Sequence, residues 1–154
     1  MDMTSNIWRK LNLKDQREIL VLRAPDSFEA AIAELDGVRV HRALSDCAAI
    51  TFLLAFVTKQ AEVLRLAKAI GKKGKGDVTI WLAYPKGSSK RLTCDFNRDT
   101  GWAPLGTVGF EGVRQVAIDE DWSALRFRRV ESIKTMTRDP KRAMTKAAKE
   151  RIRP

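Results

Sequence analysis

The stretch Ile50-Thr51-Phe52-Leu53-Leu54-Ala55-Phe56-Val57 decides the fold. Six of its eight residues are large and apolar, and none is charged. A strand with one wet face alternates polar and apolar residues. This one does not, so both of its faces must be covered. It is far too short for a membrane span, which needs about 20 apolar residues. Burying each large side chain is worth roughly 1.5–3 kcal/mol, a strong reason for helices to dock on both sides. The stretch therefore reads as the central strand of a parallel sheet.

Working outward, Glu18-Ile-Leu-Val-Leu22 is a second buried strand, preceded by a short leading helix or arm over Ile7–Leu13. Asp26 or Ser27 caps a helix that runs to about Leu35, and Val38–Arg42 follows as a short edge strand. About seven residues then return to Ile50; extended, they reach about 23 Å, enough without an intervening helix. Beyond Val57, Thr58 caps a helix from Lys59 to about Ile70, which Gly71–Gly76 ends in a flexible basic loop. Asp77–Tyr84 is the next buried strand, stopped by Pro85 and Gly87. A helix from Asn97 or Asp99 runs through Trp102 and Leu105. Val113–Asp119 and Trp122–Arg128 flank Glu120-Asp121 as a β-hairpin. Strands alternating with helices predict an open, mostly parallel α/β sheet of the Rossmann-like kind, with right-handed crossovers.

At 154 residues the chain has the size of one domain with a proper core, and its 44% hydrophobic and 31% charged residues are those of a soluble protein. No basic-then-apolar leader opens it, so a cytoplasmic location and no membrane partner are expected. Cys47 and Cys94 form no C-x-x-C and read as two small buried residues. With His41 the only histidine, no metal site is expected. The net charge of +10 is uneven: residues 134–154 hold eight Lys/Arg against Asp139 and Glu150, hence +6, which leaves +4 for residues 1–133. The chain thus divides into an α/β domain, 1–133, and a basic helical or disordered tail, 134–154. Asp139-Pro140 is a good helix start, and Lys141, Arg142, Lys146, Lys149, Arg151 and Arg153 would surround such a helix with cations. That tail suits weak contact with nucleic acid or an acidic protein.

In open α/β sheets ligands sit beyond the carboxyl ends of the strands. That rule gathers Ser27, Thr58 and the Lys86–Arg91 loop, with Lys86, Ser88, Ser89 and Lys90 as a candidate cradle for a small anion. Ordinary loop and cap chemistry accounts for the same residues. Gly71–Gly76 lacks the phosphate-loop pattern and precedes a strand. No catalytic group stands out: His41 lies among arginines, and Asp95, Asp99, Asp119 and Asp121 are scattered. Trp81, Trp102 and Trp122 read as core.

The hairpin, together with Trp81-Leu-Ala-Tyr-Pro-Lys-Gly-Ser88, Asn97-Arg-Asp99 and Ile19–Leu22, resembles the signature of a small bacterial protein family of unknown function. The resemblance covers most of residues 7 to 130. It implies a reduced, methyltransferase-like Rossmann sheet of about six strands in the order 2-1-3-4-6-5 that ends in an antiparallel hairpin, and it implies no activity. The residues that hold a cofactor in true methyltransferases do not carry over. The turn Leu22-Arg23-Ala24-Pro25-Asp26 has no glycine, Pro25 lacks an amide donor, and the second strand ends at His41-Arg42 without a carboxylate. Neither S-adenosylmethionine nor NAD is expected to bind in the usual manner, so no cofactor is assigned. Two functions follow from these readings. The first is a non-catalytic α/β binding module whose basic tail meets an acidic partner; the second is an enzyme acting on a small phosphorylated or carboxylated substrate in the crevice.

Overall fold

The computed structural model describes residues 3–89, 92–96 and 101–133. Six strands, β1 (Glu18–Leu22), β2 (Arg39–His41), β3 (Ile50–Phe56), β4 (Gly74–Pro85), β5 (Phe110–Ala117) and β6 (Trp122–Arg129), form one sheet in the order β2-β1-β3-β4-β6-β5. The β2–β1, β1–β3 and β3–β4 pairs are parallel, whereas β6 runs antiparallel to both β4 and β5. Both the α/β class and the strand order are those the sequence predicts.

Side-chain parity along the central strands splits the core in two, because successive residues of a strand point to opposite faces. Leu53, Ala55 and Val57 of the central stretch join Ile80, Leu82 and Tyr84 of β4 on one face. There they pack against α3 (Gln60–Lys73) and α4 (Ala103–Thr107) through Val63, Leu66, Ala67, Ile70 and Leu105. Phe52, Leu54, Phe56, Trp81 and Ala83 point the other way, toward α1 (Met3–Lys10) and α2 (Glu29–Ala33). From Phe52 to Val57 every residue is buried, as a doubly covered strand requires; Thr51 alone in the stretch is exposed. Trp81 anchors α1 to the sheet: its Nε1–H donates to the Leu11 carbonyl at 2.7 Å, and Trp8 Nε1–H donates to Ala31 O at 2.9 Å. Trp102 and Trp122 are buried as expected.

Several local expectations change. The basic loop at Gly71–Gly76 does not exist: α3 continues to Lys73 and β4 starts at Gly74. Gly74 makes the direct junction possible, since a Cβ there would lie 2.7 Å from the Ile70 carbonyl oxygen. Arg129 then ties the junction to the hairpin, donating to Gly74 O and Gly76 O at 2.7 and 2.9 Å. The helix after β1 begins as a 3-10 turn over Asp26–Phe28 with no side-chain cap, so neither Asp26 nor Ser27 caps it. Lys59 rather than Thr58 is the N-cap of α3, and the Glu62 carboxylate accepts from the Thr58 and Lys59 amides at 2.9 and 3.1 Å. The cysteines are half-buried and free rather than fully buried, and burial is the main cause raising both thiol pKa values. The helix start at Asn97–Asp99 and the tail helix from Asp139 lie outside the described residues; α4 itself spans Ala103–Thr107.

Candidate functional site

The short return from β2 to β3 has a consequence for the surface. Its one element is a 3-10 turn at Leu44–Asp46, where a crossover helix would otherwise cover the α3 face of the sheet. Leu44 and Cys47 pack against that face only partly buried, and Lys73 Nζ holds the turn through Leu44 O at 2.7 Å. What a helix would have filled is a crevice of about 360 Å³ lined by Leu22, Arg23, Arg42, Leu44, Ala55, Glu62, Arg65 and Leu66. Leu22 and Ala55 are register partners near the carboxyl ends of β1 and β3, which form its floor. The first turns of α3 supply one wall and the exit of β2 the other. The crevice therefore lies where β1 leads one way to β2 and the chain returns on its other side as β3, the usual ligand position in open α/β sheets.

Its polar groups are mostly guanidinium. Arg23 adopts φ 58°, the left-handed region that residues with a Cβ seldom occupy. From there it reaches across the mouth to pair with Glu62 on α3. Arg42 makes a bidentate pair with Glu29 at 2.9 and 2.7 Å. That hydrogen bonding lowers the Glu29 pKa and raises that of Arg42. Arg65 is exposed and has no ion pair among the described residues. The one carboxylate on the lining, Glu62, is committed to two amides and to Arg23.

None of Ser27, Thr58, Lys86, Ser88 or Ser89 lines this crevice. Ser27 is exposed in the turn after β1, and the Thr58 amide goes to Glu62. Ser89 ties its loop to the hairpin turn, its Oγ donating to Asp121 Oδ1 at 2.9 Å, while the Lys86 amide donates to Asp121 O at 2.8 Å. Lys90 lies outside the described residues, as do Lys141, Arg142, Lys146, Lys149, Arg151 and Arg153. The sequence places the ligand end of the sheet but not the crevice arginines. Their only signal was the turn after β1, with arginine in place of glycine, and Arg42 in place of a carboxylate. His41 sits 3.4 Å from Glu18 on the edge of the sheet, away from the crevice lining. Among the described residues no group of three His, Cys, Asp or Glu side chains could hold a metal ion, and no helix is long and apolar enough to cross a membrane.

No protein-family model matches the sequence, and neither does any curated protein. The fold does match solved structures. A SAM-dependent methyltransferase from Aquifex aeolicus superposes with a TM-score of 0.59 at 11% identity, covering 83% of this chain and 90% of that one. A mitomycin 7-O-methyltransferase gives 0.58 at 10% identity over 82% of this chain and 54% of its own. A Haemonchus contortus phosphoethanolamine N-methyltransferase gives 0.51 at 10% identity, over 84% and 38% respectively. The chain thus has a methyltransferase-like Rossmann fold. Its crevice does not fit the cofactor named in the first of these descriptions. S-adenosylmethionine carries a sulfonium cation, and the lining offers three guanidinium groups against one carboxylate that is already paired. Arg23 and Pro25 stand in the turn that must let a ligand approach the backbone, and Arg42 stands where a ribose needs an acceptor.

Proposed function

We propose that this protein is a binding module for a small organic anion with an apolar body, seated in the crevice between β1, β2 and α3. The observation that carries the reading is the lining itself: Arg23, Arg42 and Arg65 accompany the apolar Leu22, Leu44, Ala55 and Leu66. An apolar floor with a few convergent polar groups is the usual make-up of a small-molecule site, and about 360 Å³ lies at the small end of the usual range. Arg65 is the principal anchor, because its guanidinium is not committed to a carboxylate among the described residues. Guanidinium forks match carboxylate and phosphate oxygens, so a carboxylic acid or phosphate monoester is the ligand class. A second reading, an enzyme that transforms the same anion, draws less support from the side chains: the lining's one proton acceptor, Glu62, is occupied as an amide acceptor and ion-pair partner. The basic segment 134–154 is proposed as the contact for an acidic partner.

The test is titration of the full chain with octanoate and with phenyl phosphate, followed by calorimetry and by the amide resonances of Ala55 and Leu66. Saturable shifts at those two residues are expected with at least one ligand. Arg65→Glu should weaken binding by about ten- to a hundred-fold, the value of a charge-assisted contact of about 1.5–3 kcal/mol. No shift at millimolar ligand, or full affinity in Arg65→Glu, overturns the proposal.

A further inference from the structure

The hairpin carries a second cationic feature, on the opposite face of the sheet from the crevice. Arg114 of β5 and Arg126 of β6 are direct cross-strand partners, and Arg126 is in turn opposite Trp81 of β4. Directly opposed residues of an antiparallel pair share a face, so the two side chains leave the sheet on the same side, and like charges so placed repel. Two carboxylates lie near the pair: Asp77, which Arg128 holds through bonds of 2.9 and 2.6 Å, and Glu111 of β5, buried at the position opposite Arg128. Arg126 is half-buried, and its Nε has no hydrogen-bond partner. Burial, then the Arg128 charge, lowers its pKa; the Asp77 charge opposes this, and Arg114 adds a smaller lowering effect. The α4 helix packs against the hairpin from the other face, and Arg114 is exposed. Further cations stand beyond β4. The Trp81–Leu11 bond holds the end of α1 over that strand, and exposed Arg9 and Lys10 form its last turn.

We propose that Arg114 and Arg126, with Arg9 and Lys10 at the end of α1 beyond Trp81, form a contact surface for the phosphodiester backbone of a nucleic-acid strand. A repelling arginine pair gains most from an anion that offers an oxygen to each guanidinium, and a phosphate group does so. Cations on two neighbouring strands and on the helix end above a third suit a chain of spaced phosphates better than a single small anion, and the net charge of +10 adds attraction from a distance. The contact reads no base, so binding should be independent of sequence and steeply dependent on salt. The surface is separate from the crevice and does not rest on the crevice having a ligand.

The experiment uses the full chain and a fluorescein-labelled single-stranded oligouridylate of about 12 nucleotides, followed by anisotropy across a salt series. Arg114→Gln and Arg126→Gln should each weaken binding about three- to ten-fold at low salt and flatten the log–log salt slope by about 1. Lys68→Gln, an exposed site on α3 that removes the same charge from the opposite face, should leave both quantities unchanged. Arg114 is exposed on the terminal strand, so its variant should keep the parent circular dichroism even if Arg126→Gln does not fold. Unchanged affinity and slope in Arg114→Gln overturns the proposal. So does an equal loss in Lys68→Gln, which would mean that overall charge alone sets the affinity. Displacement of the strand by polyglutamate as readily as by unlabelled oligouridylate would assign the surface to acidic protein and overturn it too.

Discussion

Replacing Arg23 by glycine and, in parallel, by alanine tests the geometry of the crevice mouth. Arg23 sits at φ 58°, a conformation that costs a residue with a Cβ about 1–2 kcal/mol. Its pairing with Glu62 offsets part of that cost, but the Arg23 side chain is 57% exposed, so the pair contributes at most about 1 kcal/mol. Alanine loses the ion pair and keeps the strain, and should therefore be less stable than the parent by about 0.5–1 kcal/mol. Glycine loses the same pair but relieves the strain, at a cost of about 0.5–1 kcal/mol in unfolded-state entropy. The glycine variant should thus lie near the parent and about 0.5–1 kcal/mol above the alanine variant, or about 1–4 °C in melting temperature for a chain of this size. Urea unfolding of the three proteins at pH 7 and low salt measures the differences directly. An alanine variant as stable as the glycine variant would refute the left-handed turn and, with it, the reach of Arg23 across the crevice. The glycine variant should still fail to bind S-adenosylmethionine below about 10 μM, since Pro25 and Arg42 remain in place.

Trp81→Phe removes the donor to the Leu11 carbonyl and leaves that buried acceptor unpaired, at about 1–3 kcal/mol before any cavity is counted. Amide exchange in residues 3–10 should quicken more than in α3; equal protection in both helices would show that this bond does not anchor α1. Hydrogen bonding to Arg128 holds the Asp77 pKa below its usual value. The contribution is therefore full above about pH 4 and lost as pH falls through the depressed folded value. Because both groups are substantially exposed, Asp77→Asn should cost no more than about 1 kcal/mol at pH 7, and the gap from the parent should close in acid. A gap that stays constant down to about pH 2 would remove Asp77 from the acid limb. Arg114→Gln should stabilise the isolated protein by about 0.2–1 kcal/mol at low salt by ending the repulsion with Arg126, and urea midpoints that fall instead would contradict that cross-strand pairing.

The layered fold was legible in the sequence because it follows from local chemistry. An uncharged apolar run at Ile50–Val57 has to be covered on both faces, and the alternation around Glu120-Asp121 specifies a hairpin with a wet side. The strand order came from the likeness of the hairpin and of Trp81–Ser88 to a known pattern, since periodicity alone does not say which strands are neighbours. Other features needed the tertiary structure. Gly71–Gly76 reads as a loop because glycine and lysine are loop residues, but whether a chain turns or passes straight from helix to strand depends on how closely Gly74 approaches Ile70 O. The crevice was hidden for a related reason. Arg23, Arg42 and Arg65 belong to three elements far apart in the chain, and they converge only because the β2–β3 return is too short to hold a covering helix. Arg114 and Arg126 likewise become neighbours through the register of β5 on β6, shifted by the irregularity between Gly112 and Arg114. Local residue chemistry determined the elements and their faces; which charges meet was decided by long-range packing and register.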